Sequence, residues 1–101
     1  FGYELTPPEP IVNQAGYAAL RRGDLDGALE LFRHNVARHP RSANVHDSLG
    51  EALEQSDDLA AALASYERAC ELGRRTGDAN LGIFEANRGR VAAALASTPA
   101  R

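Results

Sequence analysis

Apolar and polar residues along this chain recur at the spacing of α-helices. In the last third, apolar residues fall three, four or seven positions apart and so share one helical face: Leu81, Phe84, Val91 and Leu95. The other face of this segment carries charge and is expected to face water: Glu85, Arg88 and Arg90. No segment shows the alternation of a strand, so the pattern predicts an all-α fold of five helices, near residues 7–22, 25–39, 43–55, 59–72 and 79–97.

The strongest pattern in the chain is an internal repeat of 34 residues. Shifting the sequence by that offset aligns identical or similar residues: Ile11 with Val45, Gly16 with Gly50, Ala18 with Ala52, Asp24 with Asp58, Leu25 with Leu59, Ala28 with Ala62, Leu29 with Leu63, and Phe32 with Tyr66. This predicts two helix-turn-helix repeats, about 9–42 and 43–76, closed by a capping helix at about 79–97. Residues 1–6 are interpreted as a linker from a preceding domain and 98–101 as a tail, with 7–97 forming one domain.

The repeated glycines indicate how the helices of each repeat pack. Gly16 and Gly50 fall inside helices, where glycine costs about 1 kcal/mol relative to alanine. We therefore expect the partner helix to approach each glycine so closely that a side chain would clash. Two further pairs are expected to complete the contact, alanines where the helices touch and rings where they diverge: Ala28 with Ala62, and Phe32 with Tyr66.

Helix ends are signalled by capping residues and breakers. The sequence predicts Thr6 as the first N-cap with Glu9 reaching back to it, and further N-caps at Asp24, Asp58, Ser42 and Asp78. Pro40 is expected to end the second helix, and the segment from Gly73 to Gly77 the fourth.

Composition and charge narrow the functional classes. The chain has 101 residues, 44% of them hydrophobic, and a formal net charge of −3, which argues against a nucleic-acid partner. No apolar run approaches the ~18 residues of a membrane helix. Cys70 is the only cysteine and is expected to be a buried small hydrophobe. The chain contains no Met and begins Phe1-Gly2, so we interpret it as part of a longer protein whose other regions set its cellular compartment.

Candidate catalytic and metal-binding residues are few. His46, Asp47 and Ser48 are the residue types of a hydrolase triad, but consecutive helical side chains point about 100° apart and cannot bond in series. His34 and His39 are five positions apart, which misses the spacing of a two-histidine metal pair. We therefore expect no catalytic residue, no metal site and no cofactor. Asn35 is expected to hydrogen-bond to Asp47 or Ser48 in the next helix.

The repeated residues resemble the tetratricopeptide repeat family. The resemblance covers roughly residues 9–76 and rests on Ala15-Gly16, Gly23-Asp24, Ala28, Phe32 and Pro40, followed by Leu49-Gly50, Leu53, Asp57-Asp58, Ala62, Tyr66 and Ala69. It departs from the family pattern at Val12, Ala19, Asn35, His46 and Arg74. The resemblance implies a right-handed superhelix of helix pairs that acts as a scaffold for protein–protein contacts.

A narrower resemblance points to a parent protein. Segments such as Gly16-Tyr17, Asn35-Val36 and 42–51 look like the helical tail that follows the catalytic domain of some bacterial serine hydrolases, both esterases and β-lactamase-like enzymes. It implies a bacterial source and a catalytic serine upstream of this chain. Two functions remain open: a non-enzymatic accessory domain for protein–protein or interdomain packing, or a region that contributes to the parent's active site, lid or stability.

The family resemblance also implies a concave binding surface on the first helix of each repeat. Its residues here would be Asn13, Tyr17, Arg21, Asn44, Asp47, Glu51 and Glu54, with Leu20 and Gln55 beside them. The second half of this set is acidic, which favours a basic protein or peptide segment. The partner is a protein or peptide, the parent's own upstream domain or a second copy of the chain; a merely solvated helix face is the open alternative.

Overall fold

Short polar turns divide the described part of the chain into helices. The computed structural model describes residues 8–97 and contains five of them: α1 (Glu9–Arg21), α2 (Leu25–Arg38), α3 (Ala43–Gln55), α4 (Leu59–Thr76) and α5 (Leu81–Ala96). No strand is present in this range, so the predicted all-α fold is confirmed. The interpreted linker 1–6, the tail 98–101 and the predicted N-cap Thr6 lie outside the described residues.

The two tight turns of the repeats are built alike. Asp24 caps α2 by accepting a hydrogen bond from the backbone N–H of Gly27 at 2.9 Å, and Asp58 caps α4 in the same way through Ala61 at 3.3 Å. The residue before each cap has a positive φ, 80° at Gly23 and 65° at Asp57. Both predicted N-caps are therefore confirmed, and the 34-residue offset extends to backbone geometry.

The fourth helix is longer than predicted. It runs to Thr76 and ends at Gly77, whose φ of 66° is left-handed and suits glycine. Gly73, where an end was expected, instead lies within the helix against Leu81 and Phe84 of α5. Asn80 occupies the N-cap position of the last helix, without a side-chain capping bond, and the predicted cap Asp78 was wrong. The Asp78 carboxylate instead accepts from the Asn80 N–H at 2.8 Å in the preceding turn.

Polar contacts at the corner between the repeats differ from those predicted. Pro40 follows the end of α2 as expected, and Ser42 occupies the N-cap position of α3. Its hydroxyl, however, donates to the Glu9 carboxylate at 2.7 Å instead of capping the helix. The predicted partners of Asn35 were wrong: its amide N–H donates to the Glu9 carbonyl oxygen at 3.1 Å. These bonds tie the start of α1 to α2 and α3.

The core consists of rings packed against glycines. A Cβ atom added to Gly50 would lie 2.6 Å from Cε1 of Tyr66, and one added to Gly16 would overlap the Phe32 ring. The predicted clash with the partner helix is confirmed, but the contact is glycine against ring. Ala28 and Ala62 are completely buried within the same clusters.

The capping helix packs on α4 through the predicted apolar face. Phe84 and Val91 are both 1% exposed, with Leu81 and Leu95 partly buried beside them. At the other end, α1 packs on α2 and, less extensively, on α3, and Ile11 is 58% exposed, whereas its repeat equivalent Val45 is 1% exposed. No helix in the described range is long and apolar enough to cross a membrane.

Candidate functional site

Hydrogen bonds between non-consecutive helices place α1, α3 and α5 on one surface. The Tyr17 hydroxyl of α1 donates to Oγ of Ser48 on α3 at 3.2 Å. On the other side of α3, the Asn87 amide of α5 donates to Oδ1 of Asp47 at 2.9 Å. Three carboxylates lie along α3 on this surface at intervals of four and three residues, and we call them the acidic strip: Asp47, Glu51 and Glu54.

The end of the acidic strip holds a guanidinium group. Arg90 of α5 donates from Nη2 to Oε1 of Glu54 at 2.6 Å and from Nε to Oε2 at 3.0 Å, so the pair is bidentate. The same guanidinium donates to Oδ1 of Asn87 at 2.9 Å, and the Tyr66 hydroxyl donates to Glu54 at 2.8 Å. The hydrogen bonds from Arg90 hold the pKa of Glu54 below its usual range, because they stabilise the ionised carboxylate.

The other two carboxylates have raised pKa values. Asp47 is 5% exposed, and burial raises its pKa although the hydrogen bond from Asn87 and the charge of Arg90 oppose the shift. Burial also raises the pKa of the half-buried Glu51, although the neighbouring Tyr17 hydroxyl opposes this shift. Among residues 8–97, Glu54 is the one member of the strip in an ion pair within 4 Å; Asp47 is bonded to the Asn87 amide, and Glu51 has no cation directly beside it.

An open groove of about 570 Å³ runs between α3 and α5 beside the strip. Its lining combines acidic, amide, cationic and apolar side chains: Glu51, Glu54, Gln55, Ile83, Asn87 and Arg90. Ile83 is 58% exposed, which is unusual for a large aliphatic residue. The groove therefore offers an ion-pair acceptor and an apolar wall within one depression.

The structure brings together only part of the predicted surface. Tyr17 and the three residues of the acidic strip adjoin one another, as the preceding contacts show. Arg21 lies exposed in the last turn of α1, and Asn44 lies half-buried in the first turn of α3. The half-buried Asn13 has its Oδ1 atom enclosed without a donor among the described residues.

The contribution of α5 was missed by sequence reasoning. Arg90 was expected to face water alone, yet it is the cation on Glu54, and Asn87 was not considered. The spacing held a usable signal: Asn87 is three residues after Phe84 and four before Val91, so it borders the buried face of the helix. A polar residue in that register points toward the neighbouring helices.

The three triad-type residues each bond to a different part of the molecule. His46 Nε2 contacts the Pro40 carbonyl oxygen at 2.8 Å, while Asp47 bonds to Asn87 and Ser48 to Tyr17. Within residues 8–97 no three His, Cys, Asp or Glu side chains are grouped as metal ligands would be. Cys70 is 1% exposed, which confirms the predicted burial, and burial raises the pKa of its thiol.

Chemically, this surface can accept hydrogen bonds and positive charge. When ionised, the carboxylates of the acidic strip accept hydrogen bonds and donate none, and Ile83 adds apolar contact area next to them. Comparison of the chain with protein-family models finds no matching family, and comparison with curated proteins finds no match.

Proposed function

We propose that this chain is a non-catalytic module of the tetratricopeptide type that binds a protein segment across the acidic strip and the adjoining groove. One observation carries the proposal: the part-buried bonds Tyr17–Ser48 and Asn87–Asp47 join α1, α3 and α5 along one side, where Glu51 and Glu54 line an open groove. In a helical repeat protein, alternate helices such as α1, α3 and α5 share one face, and partners bind to that face.

Repetition in the packing supports the repeat-type assignment. Gly16 with Phe32 and Gly50 with Tyr66 form the same contact 34 residues apart, and the capped turns at Asp24 and Asp58 recur at the same offset. The resemblance of the sequence to the tails of bacterial serine hydrolases extends the proposal. In that setting the module is a C-terminal accessory domain of a larger enzyme and packs on its upstream domain or on another protein.

The side chains of the surface are held in place before any partner arrives. Glu54 is fixed by Arg90 and the Tyr66 hydroxyl, and Asp47 by Asn87. Ordered side chains lose less conformational entropy on association, so each contact with a partner contributes more to the binding free energy. This preorganisation supports recognition of another surface.

The size of the groove favours a tethered partner. A standard stable interface buries about 800 Å² per partner, and a groove between two short helices offers only part of that area. A domain on the same chain is present at high effective concentration and binds through a small interface. Interdomain packing is therefore the form of the function that we favour.

Site-specific photocross-linking in cells of the source organism tests the proposal. A photoreactive residue is placed at Gln55 or Ile83 in the groove, and as matched controls at the exposed positions Ala37 of α2 and Ala64 of α4. We expect the groove positions to cross-link to one protein, or to the upstream domain of the parent, and the controls not to. Equal yields from all four positions, or none from the groove, would contradict the proposal.

Removal of the region from the parent protein separates the accessory-domain proposal from the alternative. If the region only packs, turnover by the shortened parent is unchanged while its solubility or oligomeric state changes. If the region contributes to the parent's active site or lid, turnover is lost although the remaining domain is folded. Circular dichroism of the shortened protein provides the folding control.

A further inference from the structure

The acidic strip already holds one guanidinium in a defined geometry. Arg90 meets Glu54 in a bidentate pair, and its Nη1 atom donates a hydrogen bond to the Asn87 amide oxygen. The Tyr66 hydroxyl of α4 donates to the same carboxylate and helps to orient it. The Arg90–Glu54 pair therefore shows, within this chain, a geometry in which a carboxylate of this surface binds an arginine side chain.

A second acceptor next to it has no such cation. Of the three carboxylates on α3, Glu54 pairs with the Arg90 guanidinium and Asp47 accepts from the Asn87 amide, and within residues 8–97 no other cation forms an ion pair with the strip. Glu51 lies three residues before Glu54, lines the same groove and has the Tyr17 hydroxyl beside it. A cation on Glu51 would relieve the repulsion among the carboxylates that helps to raise its pKa.

The rest of the groove fits the stem of a long cationic side chain. Ile83 is 58% exposed and lies on the groove wall with Glu51, so it can cover the methylene groups while the charged end reaches the carboxylate. Gln55 on the rim adds an amide oxygen that can accept a further N–H. A guanidinium with five donors uses both acceptors better than an ammonium group does.

We infer that the groove between α3 and α5 recognises an arginine side chain of the protein partner, with Glu51 as its ion-pair acceptor and Ile83 as the apolar contact for its stem. The inference rests on the proposed function and names the chemistry of the partner. Charge complementarity of the groove commits it to a protein segment with an exposed arginine next to an apolar residue.

A peptide titration followed by NMR tests this assignment. The ¹⁵N-labelled chain is titrated with the blocked pentapeptide Ala-Leu-Arg-Leu-Ala, and with versions that carry Lys or Gln in place of Arg, at low and high salt. We expect amide shifts confined to α3 and α5 around the groove, weakened several-fold by raising the salt from about 20 to about 300 mM. The Lys peptide should bind more weakly, and the Gln peptide should cause no shifts in the groove.

Matched variants locate the interaction. Glu51→Gln should weaken binding of the Arg peptide about tenfold or more, as loss of a charge-assisted pair implies. Glu30→Gln removes an exposed carboxylate on α2 and should leave binding unchanged. Ile83→Ser should weaken binding less than Glu51→Gln does. Thermal unfolding of each variant verifies that the fold is intact.

Three outcomes would overturn the inference: equal binding of the Arg and Gln peptides, shifts outside the groove, or unchanged binding by Glu51→Gln. Cross-links from position 83 in cells together with any of these would leave the proposed function standing and remove only the arginine assignment. Absence of those cross-links would remove the proposed function itself.

Discussion

The ring of Phe32 occupies the space in which a side chain of Gly16 would begin. Tyr66 stands in the same relation to Gly50, 34 residues later. Each ring is completely buried between its own helix and the preceding one, and so it holds the two helices of its repeat together. Glycine at these two positions is therefore a packing requirement that outweighs its cost in helix propensity.

Gly50→Ala and Gly16→Ala should each lower the free energy of unfolding by about 1–3 kcal/mol, because the added methyl group displaces a buried ring. Gly89→Ala is the matched control, since a Cβ there meets nothing within 4 Å in the middle of α5. It should raise stability by about 0.5–1 kcal/mol. Urea denaturation of the three variants checks this; a Gly50→Ala protein as stable as the parent would show that the ring relocates freely.

The repeated turns allow a reciprocal exchange. Gly23 and Asp57 occupy equivalent positions with φ of 80° and 65°. Asp57→Gly should stabilise the protein by up to about 1 kcal/mol, because a left-handed conformation costs a residue with a Cβ atom about 1–2 kcal/mol and glycine little. Gly23→Asp should destabilise it by a similar amount. Melting temperatures are the readout, and shifts of the same sign for both variants would be inconsistent with backbone strain.

Asp47→Asn should stabilise the protein at neutral pH. The folded state raises the pKa of this buried carboxyl above its ordinary value of ~3.9, so the folded protein binds more protons than the unfolded chain in the interval between the two values. Stability therefore falls as pH rises through that interval, and the penalty is fully present above it. Asparagine keeps an acceptor for Asn87 without the buried charge.

Thermal unfolding from about pH 4 to pH 8 measures this effect as the difference between variant and parent. We expect the advantage of Asp47→Asn to be largest at pH 7 and to shrink as the pH falls toward the ordinary pKa of aspartate. Glu51 and Glu54 are common to both proteins, so their titration largely cancels in the difference. A pH-independent difference would show that Asp47 carries no penalty from its buried charge.

The ion pair between Arg90 and Glu54 should contribute modestly to stability. The side chains are 53% and 27% exposed, so solvent screens the attraction, and we expect a coupling energy of about 0.5–1 kcal/mol. A double-mutant cycle of Arg90→Ala and Glu54→Ala measures it, and about 1 M salt should reduce it. A coupling energy near zero at low salt would show that the ion pair stabilises the folded protein no more than hydration of the two separate charges does.

Repetition made the fold readable from the sequence. The offset that joins Gly16 to Gly50 and Asp24 to Asp58 reflects local constraints, a ring beside a glycine and a cap before a helix, and both recur in the structure. The end of α4 was less predictable, since Gly73 is helical where it meets Phe84. A glycine in a sequence can indicate either close packing of two helices or the end of a helix, and the position of the neighbouring helix determines which of the two occurs.

The candidate site was predictable in its acidic half only. Asp47, Glu51 and Glu54 follow from the positions that the family resemblance implies on α3, whereas Arg90 belongs to a helix whose rotation about its axis depends on how it docks. The partner of Asn35 depended in the same way on tertiary structure, because the start of α1 brings the Glu9 carbonyl oxygen within its reach. Contacts between distant segments are not encoded in the local pattern.

The hydrogen bond from Tyr66 to Glu54 gives the molecule a built-in optical reporter. The sequence contains no Trp, and Tyr17 and Tyr66 both touch carboxylates of the strip, so their ultraviolet emission is sensitive to whatever engages those groups. A Tyr3→Phe background removes the one other phenol in the sequence. Fluorescence of the unlabelled chain can then follow occupancy of the groove directly.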